Sequence, residues 1–66
     1  MAEELRRLQT QYNLAIADAD KLYASKIYDK AINAYQKAEK IKPDEEYARK
    51  QIIKITIQLL KGHTLS

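Results

Sequence analysis

Sixty-six residues make one small domain, in which folding hides only about 60% of the surface the extended chain exposes. With no cysteine, neither a disulfide nor a thiolate metal site can reinforce it. Twelve Lys and Arg against nine Asp and Glu leave a formal charge of +3, with the surplus of base falling after Ser25; this suits an acidic peptide partner and lacks the dense basic stripe of a nucleic-acid binder.

No stretch approaches the ~20 apolar residues that span a bilayer, and the opening MAEELRRLQTQ is too polar for a secretory signal. The compartment is left open. One proline and one glycine leave little loop chemistry, which points to long helices.

The first predicted helix covers about residues 3–24. Leu5, Leu8, Tyr12, Ala15, Ile16, Ala19, Leu22 and Tyr23 recur at three- and four-residue steps and form one core-facing stripe. Ala24, Ser25 and Lys26 allow only a tight reversal, with Ser25 expected to cap the next helix. That second helix, about 27–41, sets Tyr28, Ala31, Ile32, Tyr35 and Ala38 against a polar face of Asp29, Lys30, Asn33, Gln36, Lys37 and Lys40. The short connection makes the first two helices antiparallel neighbours.

The third helix, about 45–61, follows Pro43. Asp44 is its expected N-cap, Glu45–Arg49 and Glu46–Lys50 are its i,i+4 pairs, and Gly62 is its expected stop, with a frayed tail beyond. Ala48, Ile52, Ile55 and Leu59 supply a stripe to cover the first two helices. Ile53, Ile57 and Leu60 supply a second, centred roughly 130° away. Two explanations stand open: a small bundle wraps both stripes, or another chain covers the second one. The whole chain, residues 1–66, is read as a single all-α module, a three-helix antiparallel array.

The run from Ala15 to Pro43, containing ADADKLYASKIYDKAINAYQKAEKIKP, resembles a tetratricopeptide repeat, a helix–turn–helix unit of ~34 residues. Ala19 stands at the small-residue position of the first helix and Leu22 at its large apolar one. Tyr28 and Tyr35 occupy the aromatic positions of the second helix, Ala31 and Ala38 its small ones, and Ile41 and Pro43 close the unit. Ala15 replaces the usual aromatic, Asp18 the usual leucine, and Lys26 the frequent glycine of the turn. The segment after Pro43 looks like the opening helix of a following repeat, so about one and a half repeats are present.

The resemblance implies a non-catalytic protein–protein interaction module. Its concave groove would be lined by Asn13, Ile16, Asp20 and Tyr23 of the first helix, and by Tyr47, Lys50, Gln51 and Lys54 of the third, there to hold a peptide. It also places Ile53 at the position that packs on a hairpin partner, with Leu60 pointing the same way. Self-association through Ile53, Ile57 and Leu60 is therefore expected. The alternative is a structural fragment, natural or engineered, of a larger helical-repeat protein with no ligand of its own.

Catalytic chemistry is poorly provided. The single histidine, His63, has no orienting carboxylate near it in sequence. Asp18 and Asp20, two apart on a helix, point in different directions and are read as solvated. No set of His and Cys ligands for zinc exists, and one glycine cannot build a phosphate loop. No cofactor, no catalytic residue and no metal site is expected.

Overall fold

The computed structural model describes residues 2–65 of the chain, with side chains over residues 4–61. Three helices follow one another: α1 (Ala2–Ala24), α2 (Tyr28–Ile41) and α3 (Tyr47–Leu65). The all-α three-helix array is thus what the chain forms. Helix α2 packs against both others. On the α1–α2 seam Lys42 meets Gln9 while Tyr23 meets Tyr28, and on the α2–α3 seam Glu39 meets Arg49 while Tyr35 meets Gln51. Rising numbers on one helix face falling numbers on the next, so each seam is antiparallel. The Cα trace measures 51 × 20 × 12 Å, a flattened shape in which the helices lie more nearly side by side than around a common centre.

The first turn is a tight reversal closed by backbone hydrogen bonds. The amide of Lys26 donates to the carbonyl of Tyr23 at 2.9 Å, and that of Ile27 to the carbonyl of Leu22 at 2.9 Å. Lys26 itself is left-handed, with φ 64°. These two bonds around one left-handed residue are the Schellman motif, which satisfies the last carbonyls of α1. Ser25 therefore ends α1 and does not cap α2. Ile27 holds the N-cap position of α2, with no side-chain hydrogen bond there.

Pro43 stops α2. The residue before a proline is pushed out of the helical region, and Lys42 sits at φ −134°, ψ 81°. The amide of Glu45 then donates to the carbonyl of Lys42 at 3.1 Å, closing a turn with Pro43 and Asp44 at its centre. Asp44 belongs to this turn and does not cap α3, which begins two residues later than the apolar spacing indicates, at Tyr47. Arg49 reaches across to Glu39 of α2 at 3.1 Å, and Lys50 keeps the expected pairing with Glu46 at 3.8 Å. The other terminus also moves: α3 runs on through Gly62 to Leu65, and no glycine has positive φ. The side chain of His63 and all of Ser66 lie outside the described residues.

Among the described residues eight side chains are buried: Tyr12 and Ala19 from α1, Ala31, Ala34, Tyr35 and Ala38 from α2, and Ala48 and Ile55 from α3. Five are alanines, so the seams are close and the core is thin; Tyr35 and Ile55 are its largest fully buried members. Ala15, Ile16, Leu22, Tyr23, Tyr28, Ile32 and Ile52 pack around it half-buried. Leu5, Leu8 and Leu59, expected in the core, are exposed. Length explains it: α2 has 14 residues, about 21 Å, against 23 in α1 and 19 in α3, about 34 and 28 Å. Because α2 is antiparallel to both, the outer helices overhang it at opposite ends, and their stripes run on past their cover.

Candidate functional site

Of the residues assigned to a groove, three come together. Asp20 is half-buried on α1, and its Oδ1 accepts hydrogen bonds from the hydroxyls of Tyr35 and of Tyr47, the latter at 2.9 Å. The Gln51 side-chain amide donates to the Tyr35 hydroxyl oxygen at 3.4 Å. The Tyr35 and Tyr47 rings meet edge to face, 6.2 Å between centroids. All three helices thus contribute to one polar cluster laid over a buried tyrosine ring.

Its electrostatics follow from burial beside a carboxylate. Tyr35 is pushed well above the ordinary tyrosine range, first by burial and then by its hydrogen bond to Asp20. Tyr47 is raised for the same two reasons in the same order. Tyr12 is raised by burial and then by the charges of Glu45 and Asp20. All three hydroxyls are held as neutral phenols.

The remaining groove residues lie apart from this cluster. Asn13 is exposed and accepts from the Gln9 amide at 2.9 Å. Tyr23 packs edge-on against Tyr28 at 6.0 Å, and Ile16 is half-buried against the core. Lys50 and Lys54 are exposed on α3, and the Lys50–Glu46 pair is too open to fix either side chain. At the other end of α2, the Lys42 ammonium donates to Gln9 and sits 6.0 Å above the Tyr12 ring.

The sequence assigned Asp20 either to solvent or to a groove, and the structure makes it a clamp. Tyr35 carried the available signal: an aromatic at a core position whose hydroxyl must find an acceptor. The acceptor lies 15 residues back on another helix, which periodicity alone does not reveal. A shallow groove of about 470 Å³ between α1 and α2, lined by Leu14, Leu22, Ala34, Asp18 and Lys37 among others, was likewise not anticipated.

On α3 the second stripe stands clear of the core. Ile53, Ile57 and Leu60 are 52%, 47% and 60% exposed, whereas Ala48 and Ile55 on the opposite side of the same helix are fully buried. Among the described residues no helix is long and apolar enough to cross a membrane, and no three His, Cys, Asp or Glu are grouped to hold a metal ion. No family model, curated protein or solved structure matches the chain.

Proposed function

We propose that this chain is a non-catalytic protein–protein interaction module of tetratricopeptide type, and that it associates with itself through α3. The observation that carries this reading is the run of half-exposed aliphatic side chains on the outer face of α3, Ile53, Ile57 and Leu60. Covering these side chains in both copies removes apolar surface from water, and this opposes the loss of translational and rotational freedom on association. Association is accordingly concentration-dependent.

Sedimentation equilibrium across a concentration series tests the reading. The parent chain is expected to gain mass with concentration, and the Ile53→Lys/Leu60→Lys variant to stay monomeric with unchanged helical circular dichroism. A variant that sediments like the parent overturns it.

A second reading, a structural fragment without a ligand, draws on a different observation: Asp20, Tyr47 and Gln51 are engaged with Tyr35, leaving mainly Lys50 and Lys54 to meet a peptide. Titration with an acidic peptide separates the two roles. Binding that disappears in Lys50→Glu/Lys54→Glu supports a peptide groove; equal behaviour of parent and variant supports the fragment.

A further inference from the structure

We infer that the shallow groove between α1 and α2 docks an amphipathic helix from a different polypeptide, one whose apolar stripe is bordered along one edge by Glu or Asp. No residue of α3 lines this groove. The inference therefore stands apart from self-association and from the Lys50 and Lys54 surface.

The floor of the groove is apolar and low. Ala15 and Leu22 of α1 are half-buried there, Ala34 of α2 is buried, and Leu14 stands at the shoulder 66% exposed. Leu8, Ala15 and Leu22 follow at seven-residue steps along α1 and so share one face, which runs about 21 Å, the length of α2. Leu8 is 40% exposed and continues this face with Arg7 and Gln11. A helix suits such a floor and an extended strand does not. The helix closes its own backbone hydrogen bonds, whereas a strand laid over alanine and leucine side chains would leave amides and carbonyls without partners. The small side chains of Ala15 and Ala34 let the visiting helix come close.

Charge selects which helix. Lys30, Asn33 and Lys37 of α2 line one wall; both lysines are exposed, and among the described residues neither is in an ion pair. They stand seven residues apart, about 10.5 Å, which is the separation of two carboxylates placed at i and i+7 on another helix. On the α1 side Asp18 is exposed, and it too is in no ion pair among the described residues. The acidic edge of the visitor therefore faces α2 and its neutral or basic edge faces Asp18, which fixes its rotation about its own axis.

No helix of this chain offers that pattern. Helix α3 carries Arg49, Lys50, Lys54 and Lys61 and no acidic residue, and the outer face of α2 is the lysine wall itself. Helix α1 follows each of Glu4 and Asp18 with a base three residues on, Arg7 and Lys21, so it has no continuous acidic edge. A second copy would set lysine against lysine, and the occupant is accordingly another chain.

The probe is a fluorescently labelled helical peptide of about 15 residues, matched to the groove in length. It carries Leu and Ala along one face and Glu at i and i+7 on one edge; a counterpart carries Lys in place of those Glu. Anisotropy titration is expected to show binding of the acidic peptide, weakening as salt rises, and none of the lysine peptide. Lys30→Glu/Lys37→Glu should weaken the acidic peptide about tenfold or more and transfer binding to the lysine peptide, which also shows that the variant is folded. Leu14→Asn should weaken the acidic peptide with helical circular dichroism unchanged. Lys50→Glu/Lys54→Glu and Ile53→Lys/Leu60→Lys should bind it like the parent. An acidic peptide that does not bind, equal binding of the two peptides, or a loss produced by Lys50→Glu/Lys54→Glu and not by Lys30→Glu/Lys37→Glu overturns the inference. So does capture on phosphatidylserine vesicles, dependent on Lys30 and Lys37, by a chain that leaves the peptide unbound; the occupant is then a lipid surface. Self-association, read by sedimentation, stands or falls separately.

Discussion

The hydroxyl of Tyr47 donates to Oδ1 of Asp20 across 2.9 Å and so ties the first helix directly to the third. The same carboxylate oxygen takes the hydroxyl of Tyr35, which is fully buried. Removing the carboxylate strands a buried donor, whereas removing the exposed phenol does not. Asp20→Ala is expected to lower stability by about 1–3 kcal/mol, and Tyr47→Phe by less than about 1 kcal/mol. Urea denaturation followed by circular dichroism measures both, and an Asp20→Ala chain as stable as the parent would show that the cluster is decorative.

The raised tyrosine has a pH signature. Unfolded tyrosine titrates near pH 10, and Tyr35 in the folded chain titrates higher. The folded state thus favours the neutral phenol. Its contribution is fully present below about pH 10 and is lost as pH rises above that value. Thermal melts from neutral to strongly alkaline pH should show a steeper loss for the parent than for Tyr35→Phe, in which the lysines titrate alike. Parallel curves would mean that Tyr35 ionises without resistance.

Lys26 holds a left-handed conformation that costs a residue with a Cβ about 1–2 kcal/mol. Glycine at this position would remove that cost, offset in part by its greater freedom in the unfolded chain. Lys26→Gly is expected to stabilise the chain by about 0.5–1 kcal/mol, a rise of several degrees in melting temperature for a domain of this size. A lower melting temperature would show that the Lys26 side chain does more at the turn than occupy it.

Ile55 and Ile57 stand two residues apart on α3, one fully buried and one 47% exposed. Ile55→Ala should cost about 2–5 kcal/mol, enough to unfold much of so small a domain. Ile57→Ala should change the stability of the dilute monomer by no more than about 0.5 kcal/mol. Equal losses at the two positions would mean that α3 sits on α2 in another rotation.

What the sequence made legible was the part governed by periodicity. The spacing of Tyr12, Ala19, Ala31, Tyr35, Ala38, Ala48 and Ile55 placed each on the inner face of its helix, where it lies. The second stripe at Ile53, Ile57 and Leu60 was equally visible, because its angular offset depends on one helix alone; its exposure, left open by the sequence, follows from the packing of the array. Helix ends were less legible. Ser25 and Asp44 are both good capping residues, and both were overruled by backbone bonds of the adjoining turns, one around Lys26 and one after Pro43. The exposure of Leu5, Leu8 and Leu59 needed the relative lengths of three helices. The role of Asp20 needed the meeting of residues 20, 35, 47 and 51, which only the assembled array provides.

The middle position of α2 also bears on how quickly the chain reaches this state. Both main seams join helices that are consecutive in sequence, so the largest contacts form across turns of a few residues. Closing such short loops carries little entropic penalty, and helical chains rich in local contacts fold in microseconds to milliseconds. With Ala31, Ala34, Tyr35 and Ala38 buried on α2, the first hairpin to form already holds much of the core, and the remaining outer helix adds to a template that waits for it.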